Sequence, residues 1–177
     1  EKQEEKFYKN GRLDGPSTFW ENGYRSTMTT YKSDSPEGPW VIWYSNNDQI
    51  KEQGFHQSGI REGLTTYYYE NGTMQREGFF KEGLPDGLWT YWNKKAEKDF
   101  DFDFGSGLQH ISLEDLAERE STFYKLGEDI PFTGIITQEN PEADYLFLGR
   151  TKDGKKDGQW VKWFPSGKDV PEIILVE

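Results

Sequence analysis

The sequence predicts an all-β protein, an elongated antiparallel meander of β-hairpin repeats forming a single-layer sheet with at most one short helix. Three observations lead there. Acidic residues followed by glycine recur at Asp14-Gly15, Glu37-Gly38, Glu62-Gly63 and Asp86-Gly87, and the three glycine spacings are 23, 25 and 24 residues. Thr133-Gly134 and Asp157-Gly158 resume the pattern, again 24 residues apart. After most of these anchors comes a short run rich in aromatic and β-branched residues that ends at an Asn-Gly-like pair. The composition agrees: 33% hydrophobic, 16% aromatic and 19 glycines suit a thin sheet with many tight turns better than a thick α/β core. A period of about two dozen residues marks stacked units, none of which buries its apolar face alone.

Each unit reads as strand, turn, strand, glycine loop. From Gly63 the chain runs Gly-Leu-Thr-Thr-Tyr-Tyr-Tyr-Glu-Asn-Gly, and from Gly158 it runs Gly-Gln-Trp-Val-Lys-Trp-Phe-Pro-Ser-Gly. The pairs Asn22-Gly23, Asn46-Asn47, Asn71-Gly72 and Ser166-Gly167 tolerate positive φ and are expected as hairpin turns. A second strand then ends at Thr30-Tyr31, Gly54-Phe55 or Gly78-Phe79. Glycines four apart (Gly11 and Gly15, Gly59 and Gly63, Gly83 and Gly87, Gly154 and Gly158) bring the chain back.

This grammar divides the chain into about four hairpin units over 1–97, an irregular insertion over 98–130 and about two further units over 131–177. In the insertion, Phe100, Phe102 and Phe104 alternate with Asp99, Asp101 and Asp103. An extended strand splays such carboxylates ~7 Å apart, so a solvated edge is expected there in preference to a cation site. Ser112 heads Leu113 to Arg119 as the N-cap of a predicted short helix, and Ser121 to Lys125 follows as a strand.

All seven tryptophans occupy two repeat positions. Trp40, Trp89 and Trp160 lie two residues past their anchor glycine. Trp20, Trp43, Trp92 and Trp163 lie five past it, where Tyr68 stands in the third unit. Two and five differ in parity, so in an unbulged strand the two sets face opposite sides. The set at five recurs in nearly every unit and is expected to pack the array. The set at two varies between units (Ser17, Thr65 and Ile136 replace tryptophan). Trp40, Trp89 and Trp160, with Tyr67 and Tyr91, are therefore the candidate binding residues on an exposed aromatic surface.

Charge narrows the partner. Lys+Arg total 21 against 32 Asp+Glu, a net charge of −11, which repels phosphate backbones and anionic bilayers and favours a basic protein. There is no cysteine, so thiolate chemistry and disulfides are excluded. No apolar run approaches the ~18 residues of a membrane span, which argues against membrane insertion. The chain begins at Glu1 and not at methionine, which raises the expectation of a removed secretory or lipoprotein leader and an envelope location, with the cytoplasm as the alternative. His56 and His110 have no second histidine at ligand spacing, and no nucleophile elbow or phosphate loop occurs. No catalytic residues, metal ligands or cofactor are expected, and the oligomeric state is left open.

The segments Tyr69-Glu70-Asn71-Gly72, Lys9-Asn10-Gly11-Arg12-Leu13-Asp14-Gly15 and Lys152-Asp153-Gly154-Lys155-Lys156-Asp157-Gly158-Gln159-Trp160 resemble the bacterial variant of the MORN repeat. Pro131-Phe132-Thr133-Gly134 resembles the segment that opens the array in many such proteins, although here it lies two-thirds along. The resemblance covers most of the chain. It implies a hairpin array that binds protein, and a place among YwqK-like antitoxins, the immunity partners of secreted toxins. It supplies no catalytic residues. Two alternatives stay open: a glycan or cell-wall binder whose tryptophans stack on sugars, and a spacer whose aromatics serve packing alone.

Overall fold

The computed structural model describes residues 3–140, 142, 145–163 and 172–174. The protein is all-β, made of antiparallel hairpins, and divides into two compact units, Glu1–Asp101 and Phe102–Glu177. The expected turn at Ser166-Gly167 lies outside the described residues.

The first unit contains β1 (Glu4–Glu5), β2 (Tyr8–Lys9), β3 (Arg12–Leu13), β4 (Gly15–Glu21), β5 (Tyr24–Lys32), β6 (Ser35–Trp43), β7 (Ile50–Gln57), β8 (Ile60–Arg61), β9 (Gly63–Tyr68), β10 (Met74–Lys81), β11 (Leu84–Trp92) and most of β12 (Lys98–Asp103), whose last two residues belong to the second unit. The sheet order is β1-β4-β5-β6-β7-β9-β10-β11-β12, so from β4 on neighbours in the sheet follow each other along the chain. The two-residue β8 pairs with β7, and β2 pairs with β3.

Tight turns set this order. Asn10-Gly11, Asn22-Gly23, Ser33-Asp34, Ser58-Gly59 and Glu82-Gly83 each hold two consecutive residues at positive φ. That conformation matches the strand twist and closes two-residue hairpins. The four-residue glycine spacing therefore encodes a turn at its first glycine and a position inside the strand at its second. Gly87 is an example of the second kind, with φ of 63°, and Gly38, four residues after the Asp34 of the Ser33-Asp34 turn, occupies the same position with φ of 110°. Across them the register slips by two, from Thr29↔Trp40 to Tyr31↔Pro36 and from Glu77↔Thr90 to Phe79↔Asp86. These are bulges, and only glycine enters the positive-φ region there without strain.

The residue before the anchor glycine ties one unit to the next. Glu37 Oε2 accepts the Ser58 backbone N–H at 2.7 Å, and Glu62 Oε2 accepts that of Glu82 at 2.9 Å. Thr133 Oγ1 does the same for Asp153 at 2.8 Å. Each side chain thus caps the tight turn of the following unit. At the other end of the strands, Tyr44 Oη donates to Tyr68 O and Tyr69 Oη to Trp92 O, both at 2.8 Å. Asn46 and Asn71 reach Glu70 and Lys94 at 2.7 and 3.0 Å.

The second unit contains β13 (His110–Ser112), a 3-10 turn (Leu113–Asp115), β14 (Leu116–Arg119), β15 (Thr122–Lys125), β16 (Gly134–Asn140), β17 (Tyr145–Lys152), β18 (Lys155–Trp163) and β19 (Glu172–Ile174). The order is β13-β16-β17-β18-β19, with β13 parallel to β16, and β14 and β15 form a separate hairpin. Phe123, Phe132, Ile136 and Trp160 form the core. The predicted helix over Leu113 to Arg119 is not formed as such. Only Leu113–Asp115 turns, and Ser112 makes no side-chain cap. Glu120 and Ser121, both at positive φ, instead fold Leu116–Arg119 back onto Thr122–Lys125. That pairing satisfies the backbone of both segments, which one isolated helical turn cannot do.

Candidate functional site

The expected aromatic surface is not exposed. Trp40, Trp89, Tyr91 and Trp160 retain only 1–3 % of their accessible surface, and Tyr67 is half-buried. The expected division of labour is corrected in part: the varying position packs, and of the recurring position Trp43 and Trp163 are buried as expected while Trp20, Tyr68 and Trp92 are only partly covered. The cause is a glycine on the neighbouring strand. Trp40 pairs with Gly54 and Trp160 with Gly149. A Cβ on Gly54 would lie 2.8 Å from Trp40 Cζ2, and one on Gly149 would lie 2.5 Å from Trp160 Cδ2. Gly78 stands in the same relation to Trp89. Each indole thus lies flat on bare backbone. Indole Nε1 of Trp89 and Trp160 donates to Phe79 O and Arg150 O at 3.1 and 2.9 Å. The sequence carried the signal in Gly54-Phe55, Gly78-Phe79 and Gly149-Arg150, where glycine in a strand marks a close approach.

Arg61, a residue that pattern reading passed over, organises this face of the first sheet. Its guanidinium lies 4.6 Å from the Trp40 ring centroid, donates to Tyr67 Oη at 3.0 Å and meets Glu52 Oε2 at 3.3 Å. Arg76 covers the Tyr67 ring at 4.2 Å. Burial raises the Tyr67 phenol above its ordinary pKa despite the two guanidiniums, and burial together with the Arg61 charge lowers His56. His56 is set against Trp40 at 5.6 Å between ring centroids. Tyr91 stacks on Phe100 at 4.4 Å. The cluster is a packed polar-aromatic layer with few surfaces left to offer.

The opposite face of the same sheet does offer one. Side chains alternate along a strand, so the residues next to Trp40, Gly54, Thr65, Gly78 and Trp89 point the other way. These are Pro39, Phe55, Leu64, Phe79 and Leu88. Pro39 pairs with Phe55 and Leu64 with Phe79. The Gln53↔Thr66 pairing, continued along β7 and β9, sets Phe55 beside Leu64. Leu88 falls within the bulged stretch of β11 opposite Gly78. Pro39 is exposed, and the other four keep 43–59 % of their surface. The result is an apolar stripe running across five adjacent strands.

Carboxylates border it. Glu37, Glu62 and Asp86 stand just before the bulges that lead to Pro39, Leu64 and Leu88, with the Glu62 N–H bonded to Phe55 O and Asp86 paired with Phe79, and Glu77 stands two residues before Phe79. Glu77 lies beside Thr66 and accepts its hydroxyl at 3.0 Å. Further along that row Asp101 accepts from Thr90 at 2.8 Å and pairs with Lys98, which lowers its pKa, so its charge is already matched.

In the second unit, Phe102, Asp103, Arg150, Asp157 and Gln159 line a hollow of about 170 Å³ whose Arg150 is ion-paired to Asp157 at 3.0 Å. Among the described residues no three His, Cys, Asp or Glu side chains converge as metal ligands, and no helix is long and apolar enough to cross a membrane. Comparison with protein-family models and with curated protein sequences finds no match for this chain.

Proposed function

We propose that the protein is a non-enzymatic, protein-binding repeat module whose first sheet, a single-layer meander, receives a basic partner on the Pro39–Phe55–Leu64–Phe79–Leu88 stripe. The observation that supports this is the stripe itself, an exposed row of large apolar groups flanked by Glu37, Glu62, Asp86 and Glu77. Interfaces combine an apolar centre with a polar rim, and a rim of one sign selects and steers a partner of the other. The net charge of −11 acts in the same direction at longer range. The binder reading is also favoured by where the titratable groups sit. His56 packs on Trp40 and His110 on Phe104, both with lowered basicity, and the Tyr67 phenol is held by Arg61. Together with the MORN-variant resemblance, this supports reading the chain as an immunity partner that masks a basic toxin.

Selection of a random displayed-peptide library on the whole chain tests the reading. Selected sequences should combine Lys or Arg with large apolar residues, and they should be lost on a Phe55→Ser/Phe79→Ser variant. Absence of enrichment, enrichment of acidic sequences, or equal retention on the variant would sink it.

A further inference from the structure

We infer that the partner segment seated on the stripe is a basic amphipathic α-helix of about four turns lying across the strands, an inference that rests on the binding reading above. Three geometric facts carry it. The first is pitch. The stripe's apolar groups sit on adjacent strands, hence about 4.8 Å apart, and its five residues span about 19 Å. One face of an α-helix presents a side chain roughly every turn, about 5.4 Å, so a helix laid along the stripe drifts by only about 0.6 Å per strand and stays in step with its five residues. Alternate side chains of an extended strand are about 6.7 Å apart and fall out of step by about 1.9 Å per strand.

The second fact is width. Glu77 precedes Phe79 by two residues on an unbulged stretch of β10, whereas the chain bulges after Glu62 and Asp86, so that the Glu62 N–H bonds Phe55 O at 3.0 Å and Asp86 pairs with Phe79. Glu62 and Asp86 therefore lie alongside Phe55 and Phe79 of the stripe, and Glu77 lies about 7 Å to one side of it. A helix with its side chains is about 10–12 Å across, so Lys or Arg flanking its apolar face comes within reach of those carboxylates. The third fact concerns the backbone. Phe55, Leu64, Phe79 and Leu88 are apolar and exposed, and offer nothing to a bare peptide group. A strand laid on them would leave N–H and C=O groups unsatisfied, whereas a helix has satisfied its own.

The test uses two 14-residue Lys/Leu peptides of identical composition. One has leucine at helical spacing and the other alternates Leu and Lys. They are titrated into the full chain and into Phe55→Ser/Phe79→Ser, two exposed positions, with folding of the variant checked by its circular dichroism melt. A Lys/Ser peptide of equal charge controls for unspecific attraction. The helical peptide should bind at least tenfold tighter than its isomer, gain helical dichroism on binding, and lose at least tenfold on the variant. Tighter or equal binding of the alternating isomer, still dependent on Phe55 and Phe79, would overturn the helix while leaving the binding surface intact. If neither peptide distinguishes parent from variant, or Lys/Ser binds as well, both the helix and the surface fall.

Discussion

Replacing Gly149 by alanine tests the contact around which the second unit's core is arranged. Gly149 has an ordinary extended backbone, so the substitution adds no backbone strain and acts through one methyl group. That methyl would meet Trp160 Cδ2 at 2.5 Å and both Cε2 and Cε3 at 2.6 Å, against an ordinary contact of about 3.5 Å. The indole must therefore retreat by about 1 Å. Behind it Phe123 is stacked with centroids 5.4 Å apart and planes 18° from parallel, and Phe147 closes an edge at 5.4 Å, so there is no vacant space to take up the shift. Overpacking of this kind costs about 1–3 kcal/mol, and loosening the Trp160 Nε1 bond to Arg150 O adds about 1 kcal/mol. The expected loss is about 2–4 kcal/mol, read from chemical denaturation followed by tryptophan fluorescence. Trp160→Leu alone should also destabilise. In combination the two should cost at least about 1 kcal/mol less than their sum, because the smaller side chain leaves room for the methyl. Additivity within about 0.5 kcal/mol, or a Gly149→Ala protein as stable as the parent, would refute the argument.

Two further outcomes follow from contacts described above. Glu62→Ala removes the acceptor for the Glu82 N–H and should cost about 1 kcal/mol, while Glu62→Gln keeps a carbonyl oxygen and should cost less, as measured by urea midpoints. His110 stacks on Phe104 with centroids 5.6 Å apart, and burial depresses its pKa below 6.5. The folded state therefore disfavours the proton that the unfolded state takes up. The His110 contribution is intact above about pH 6.5 and declines as the pH falls below that value toward the depressed folded pKa. A His110→Phe variant should lose less stability than the parent between pH 7 and 5 in parallel denaturation series, and equal slopes would count against it.

The sequence was informative where local chemistry decides. The anchor period, the turn at Asn22-Gly23 and the strand character of both halves follow from glycine, asparagine and β-branched residues alone. Which side of the sheet packs was harder to read, because parity separates two sets of aromatics without saying which is inside. The answer depends on partners on other strands: Gly54 under Trp40, Gly149 under Trp160, and Arg61 over Trp40. The segment after Ser112 misled for a similar reason. Leu113, Leu116 and Ala117 suit a helix face, but Glu120-Ser121 adopts a hairpin turn that no glycine announces. The apolar stripe was visible only as separate residues. Phe55 and Phe79 read as strand ends until the register placed Leu64 between them.

The bonds from Tyr44 to Tyr68 and from Tyr69 to Trp92, and those from Glu37 to Ser58 and from Glu62 to Glu82, each connect one unit with the next. None of the four reaches past an immediate neighbour. A copying error that inserts or deletes one whole period therefore hands every donor an equivalent acceptor, whereas an error a residue or two short leaves a junction where none of them meet. For this sheet the grain of inheritance is coarse. Its length, and with it the reach of any surface it carries, changes most cheaply in steps of about two dozen residues.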